Sequence, residues 1–176
     1  MYKVPASHPT QKRTLRPLYA NHQATPWGGF LDPDWDRSFD IYPGTVMARL
    51  YGDVFTPYTG AGGTVPFGLS ALFVAPTLGV DEASGSGTNL FTVWVGESQA
   101  LFEILAPAFD VEADWPADQL GGRIMLTGNS VGQLTTVGVT AENAIAELHD
   151  VISTDKIVVR LNRLDLGTGG ALAGSS

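Results

Sequence analysis

Residues Pro43–Tyr58 read Pro-Gly-Thr-Val-Met-Ala-Arg-Leu-Tyr-Gly-Asp-Val-Phe-Thr-Pro-Tyr, two short extended runs around a turn. Thr45–Leu50 carries β-branched and long apolar residues, and Val54–Thr56 resumes the same character. Between them Gly52-Asp53 supplies turn chemistry, because glycine accepts a positive φ without steric cost and aspartate tolerates one. Pro57 then removes a ladder donor. The stretch predicts a β-hairpin, and the rest of the chain reads as built onto it. Its punctuation recurs throughout: 21 glycines and 11 prolines in 176 residues favour many short elements over long helices.

Read in order, Met1–Pro26 holds Pro5, Pro9, Pro17 and Pro26 and no apolar periodicity, so it reads as an extended N-terminal arm (1–26) with little structure of its own. Trp27–Phe39 crowds Trp27, Phe30, Leu31, Trp35 and Phe39 among glycine, proline and aspartate. Such aromatic surface either caps the core of its own domain or anchors a partner. A glycine-rich loop, Thr59–Thr64, leads to a strand over Val65–Val74 with a kink near Gly68. Leu90–Val95 reads as a buried strand, whereas Gln99–Leu105 fits either a strand or a short helix. Asp81–Asn89 and Asp110–Gln119 read as loops. Arg123–Thr127 and Gln133–Val139 predict a second hairpin through Gly128–Gly132, and Lys156–Leu161 a final strand. A helix is expected over Ala141–Ile152: Thr140 fits an N-cap, and Ala141, Ala144, Ile145, Leu148 and Ile152 form one apolar stripe. The expected class is a β-rich α+β domain spanning 27–166, with one helix near its C-terminal end and a flexible Gly/Ala/Ser tail over 167–176.

Charge separates two regions. Residues 1–31 contain Lys3, Lys12, Arg13 and Arg16 and no acidic residue, while the remainder holds 6 basic and 18 acidic residues. No lysine or arginine lies between Arg49 and Arg123, against nine acidic residues. A basic arm thus precedes an acidic body, and an acidic body argues against phosphate-backbone binding and hence against nucleic acid as a partner. The absence of cysteine excludes disulfides and thiolate metal sites. The longest apolar run, Leu69–Val80, is broken by Pro76 and Gly79 and falls short of the about 20 residues of a membrane span. The N-terminus lacks the apolar core of a secretory signal.

The motifs that could carry chemistry lack their context. Gly128-Asn129-Ser130-Val131-Gly132 has the Gly-x-Ser-x-Gly spacing of a serine nucleophile, with Glu142 or Glu147 and then His149 following in hydrolase order. A nucleophile elbow needs a strand, a sharp turn and a helix, and here Gln133–Val139 continues as strand. Asp32, Asp34 and Asp36 alternate like the start of a calcium loop, but its sixth and twelfth positions are Arg37 and Pro43 instead of glycine and glutamate. His8, His22 and His149 lack zinc-ligand spacing. Gly60–Gly63 has no Gly-Lys-Ser/Thr to cradle a phosphate. No catalytic residue, cofactor or metal is expected.

Gly44-Thr45-Val46-Met47, then Gly52-Asp53-Val54-Phe55-Thr56-Pro57-Tyr58, the glycine-rich loop and Pro66-Phe67-Gly68-Leu69 resemble the core of the head decoration proteins of tailed phages, of the lambda type. The resemblance covers roughly residues 43–75. It implies a small β-tulip or β-barrel-like fold that binds the major capsid protein as a homotrimer on the outer surface of the expanded head, a virion component assembled in the host cytoplasm. It implies an arm that orders on the shell, with no membrane and no direct nucleic-acid contact. On that reading Lys3, Lys12, Arg13, Arg16, Trp27, Phe30 and Trp35 are the candidate partner-binding residues. The chain is much longer than the lambda type, and Trp94–Val139 and the expected helix have no assigned counterpart. A head–tail connector or tail-surface protein, and more remotely a small serine hydrolase using Ser130, are the alternatives.

Overall fold

Short extended runs separated by glycine and proline leave backbone groups that only neighbouring strands can satisfy, and the chain answers with eleven strands among the described residues. The structure, a computed structural model, describes residues 13–18, 25–60, 64–76, 90–95, 100–115 and 123–161. In chain order the strands are β1 (Leu15–Leu18), β2 (Thr25–Leu31), β3 (Val46–Arg49), β4 (Val54–Pro57), β5 (Pro66–Ser70), β6 (Leu90–Val95), β7 (Leu101–Leu105), β8 (Met125–Gly128), β9 (Leu134–Thr135), β10 (Ala146–Ser153) and β11 (Lys156–Leu161). Strands β2-β4-β3-β5-β6 close into a barrel. The other six form an antiparallel sheet in the order β1-β7-β11-β10-β8-β9.

The hairpin β3–β4 forms as its sequence dictates, with Gly52 at a φ of 68° and Leu50 N donating to Val54 O at 2.8 Å. The barrel is closed by a seam in which β2 runs parallel to β4. Phe30 N donates to Asp53 O (2.7 Å) and Asp32 N to Phe55 O (2.8 Å) along that seam. Gly29 makes the approach possible, since a Cβ there would lie 2.1 Å from Asp53 O. The kink at Gly68 is a β-bulge: Met47 faces Gly68 and Ala48 faces Pro66, leaving Phe67 as the extra residue. Aromatic rings fill the interior, with Phe55 stacked on Phe67 at 5.7 Å and Trp27 edge-on to Phe67 at 5.8 Å.

One wall of the barrel packs on the six-stranded sheet, and the two share a core. Trp94 on β6 meets Phe102 on β7 at 5.9 Å, and Val46 N donates to Gly132 O at 2.8 Å. Gly44, at a φ of 101°, brings the chain against Ile104 and Ala108. The barrel is one continuous stretch inserted between β1 and β7. Its entry and exit run side by side, because Leu18 pairs with Leu101 on the sheet while Thr25 pairs with Val95 on the barrel. On β1, Leu105 N donates to Thr14 O, so bonds to β7 come from every second residue. Pro17 falls on the alternate position, where its missing N–H costs no ladder bond.

The α+β expectation is overturned: the described residues contain no helix, and Ala141–Ile152 is a turn followed by β10. The expected N-cap does form a first turn. Thr140 N donates to Asn143 Oδ1 (2.7 Å), Asn143 N to Thr140 Oγ1 (3.3 Å) and Ala144 N to Thr140 O (3.1 Å). The next donors are captured from outside, Ile145 N by Leu126 O and Leu148 N by Ile124 O, both at 2.8 Å. Strand β11 then pairs along the length of β10. The ends of the supposed stripe, Ala141 and Ile152, are exposed, whereas Ala146 and Leu148, two apart as in a strand, are buried. The expected strand over Gln133–Val139 shortens to Leu134–Thr135 because the chain turns at Gly138, whose φ is 70°. Within Gln99–Leu105, Leu101–Leu105 is the strand β7, not a helix. The loop Asp81–Asn89 and the tail 167–176 lie outside the described residues.

Candidate functional site

The partner-binding candidates do not gather in one place. Lys3 and Lys12 lie outside the described residues. Arg13 is exposed, just before β1. Arg16 projects from β1 and donates to Glu103 Oε2 at 3.0 Å, while Lys156 Nζ stands 3.8 Å from Glu103 Oε1. Glu103 is thus held between two cations on the outer face of the sheet. Thr14 Oγ1 donates to Pro43 O at 2.6 Å, fastening the start of β1 to the segment that leads into β3.

The three aromatic candidates take different roles. Trp27 faces the barrel interior, and its Nε1 donates to Asp53 Oδ1 at 3.1 Å. Arg49 lies with its guanidinium carbon 5.3 Å from the centres of both the Trp27 and Phe67 rings and donates to Asp53 Oδ1 at 2.9 Å. This group closes one mouth of the barrel by cation–π contact and an ion pair that are both partly screened from water. Trp35 is only 3% exposed and belongs to the core beside Phe39. Phe30 alone points outward, 42% exposed.

Phe30 has apolar company that sequence reasoning did not identify. Leu90 sits opposite it in the β2–β6 register and is 66% exposed. Tyr51, at the tip of the β3–β4 turn, is 95% exposed. Tyr51 was open to discovery, since a side chain beside Gly52 at a turn tip has nothing to pack on. Leu90 was not, because its place beside Phe30 depends on a pairing across 60 residues of chain.

Acid–base and nucleophilic chemistry finds no constellation among the described residues. Ser130 lies in the turn between β8 and β9, where Asn129 Oδ1 accepts from Val131 N and Gln133 N, both at 3.0 Å. Strands flank that turn, not the strand and helix of a nucleophile elbow. Glu147 is bound by Arg123, and His149 is the exposed extra residue of a bulge in β10. Asp32 Oδ1 and Asp36 Oδ1 accept from Asp34 N and Ser38 N, the turn-forming use of aspartate. No three His, Asp or Glu side chains among the described residues group to hold a metal ion. Burial, aided by the Asp40 carboxylate that its hydroxyl donates to, raises the Tyr42 phenol above its ordinary value, which keeps it protonated.

The whole chain, residues 1–176, matches the profile of the phage cement protein family. The chain belongs to that family. No curated protein and no solved structure matches it. As a phage cement protein it is a structural component of the virion, associated with the capsid of a bacteriophage and serving to stabilise it. The fold suits that role: a filled barrel fused to a sheet through one core offers rigid outer surfaces.

Proposed function

We propose that this cement protein decorates the outer surface of the expanded phage head, binds the major capsid protein there as a homotrimer, and holds the shell against the pressure of the packaged genome. The observation that carries the reading is the family match along the entire chain. The stabilisation follows from mass action: a protein that binds the expanded shell and not its broken form stabilises the shell by its binding free energy. Three linked copies bind with a high effective concentration, so modest contacts per copy suffice.

In this reading the segment ahead of β1 orders on the capsid protein. Lys3, Lys12 and Arg13 offer positive charge to acidic groups of the shell, Arg16 already being paired with Glu103, and extended backbone offers donors and acceptors to a sheet edge there. Strand β1, fastened by its pairing with β7 and by Arg16 to Glu103, roots this segment on the body. The test uses heads purified without the protein. Adding it back should raise the temperature at which the heads rupture, and removing residues 2–12 should weaken head binding while the free protein melts as before. Full binding by the shortened protein would show that the body alone carries recognition.

A further inference from the structure

Seven large apolar side chains are strongly exposed among the described residues, and three of them, Phe30, Leu90 and Tyr51, lie around the C-terminal end of β2. Phe30 and Leu90 are direct cross-strand partners, and Val54 flanks Phe30 on the other side in the parallel register with β4. Tyr51 stands two residues before Asp53, whose carbonyl accepts from Phe30 N. Of the other four, Leu72 lies past the end of β5 remote from Tyr51, and Val111, Val137 and Ile152 lie away from the barrel, in or beside the six-stranded sheet.

Three features set this end apart from incidental apolar exposure. The backbone beneath it is a closed barrel with no free edge, and the Arg49–Asp53–Trp27 group pins the turn that bears Tyr51. The surface is therefore already in its binding shape, which lowers the cost of association. Gly28, two residues before Phe30 on the same outer wall, has nothing within 4 Å of where a Cβ would lie, so a partner can approach the strands closely. The rim is acidic: Asp32 follows Leu31 directly, and Asp34 and Asp36 are exposed just beyond. The nearby cations are engaged, Arg49 with Asp53 and Arg37 with Pro33 O and the Trp35 ring.

An acidic rim decides the kind of partner. Two copies of this patch brought face to face would oppose carboxylates to carboxylates, so a self-complementary pairing is disfavoured. A surface with an apolar centre and a lysine or arginine rim is favoured. We propose that this face, at the C-terminal end of β2, is the one that docks on the shell, onto an apolar protrusion of the capsid protein ringed by basic side chains. The inference rests on the reading that the chain binds the head shell, and it assigns the body its own contact, separate from the N-terminal segment.

The experiment compares binding of the parent and of variants to heads purified without the protein, with melting curves and sedimentation of the free proteins. The double variant Phe30→Ser/Leu90→Ser should melt with the parent and lose roughly tenfold or more in affinity for heads. Asp34→Lys should slow association and reduce its dependence on salt. Should the double variant fail to fold, Tyr51→Ser, at a turn tip, takes its place. Binding equal to the parent in a folded variant overturns the proposal, as does a variant that binds heads normally but loses self-association. If the parent itself does not bind heads, the shell-binding reading falls and the docking face falls with it.

Discussion

Two adjacent glycines on β2 are chemically identical and should respond oppositely to the same substitution. Neither has a positive φ, so alanine fits the backbone at both, and only space differs. At Gly29 a Cβ would lie 2.1 Å from Asp53 O, 2.6 Å from Phe55 Cε2 and 2.9 Å from Asp53 Cβ. Two of those atoms belong to the β2–β4 seam, so the strands must part. Overpacking of a tight core costs about 1–3 kcal/mol. Parting the seam also weakens the bonds from Phe30 N and Asp32 N, at about 1 kcal/mol each. Gly29→Ala should therefore cost about 3–5 kcal/mol and, at roughly 2–4 °C per kcal/mol for a chain of this size, lower Tm by about 6–20 °C. At Gly28 the same methyl meets nothing within 4 Å. Gly28→Ala should hold Tm or raise it slightly, because glycine loses more freedom on folding than alanine, by about 0.5–1 kcal/mol. Thermal unfolding followed by circular dichroism, read side by side for the two variants, is the assay. Equal melting temperatures would refute the claim that the parallel seam closes the barrel through a gap only glycine can leave.

The centre of the sheet and the turn that replaced the expected helix give two further tests. Val159 is fully buried on β11 between Phe102 of β7 and Leu148 of β10, so Val159→Asp should unfold the protein at room temperature by placing an unpaired charge there; a variant melting within a few degrees of the parent would show that β11 is not central. Asn143 accepts from Thr140 N with its side-chain oxygen, donates to Gly138 O with its side-chain nitrogen, and accepts from Thr127 Oγ1 with its carbonyl. Asn143→Ala should cost about 1–2 kcal/mol in urea unfolding, and an unchanged midpoint would mean that the turn does not depend on this side chain.

Legibility in the sequence followed the range of the interactions. The hairpin β3–β4 could be read because all its determinants lie within Val46–Pro57, and β6 and β11 because their β-branched and aromatic runs have no competing period. Strand β2 was hidden. Its inward positions are Trp27, Gly29 and Leu31, and a glycine in the middle erases the alternation that marks a half-buried strand. Strand β1 was hidden by Pro17, admissible only because that position faces away from β7. The segment Ala141–Ile152 carries a true helical spacing and a true N-cap, yet β8 and β11 offered its backbone more than one isolated helix could, and neither offer is visible within twelve residues of sequence. The candidate surface divides the same way. Aromatic density announced Phe30, Trp27 and Trp35 together, but pairing through β4 and β6 sorted Phe30 outward and Trp27 inward, while Trp35, in the turn after β2, packs into the core beside Phe39.

The insertion of the barrel between β1 and β7 also orders events on the ribosome. Every strand of the barrel lies within residues 25–95, so its ladders can form as soon as that stretch has emerged. Strand β1, made earlier, has no partner until β7 follows, with Arg16 meeting a glutamate 87 positions later. Closing so long a loop is entropically costly and is repaid only after the intervening residues are compact. Strand β1, although translated before the barrel, is therefore laid down after it.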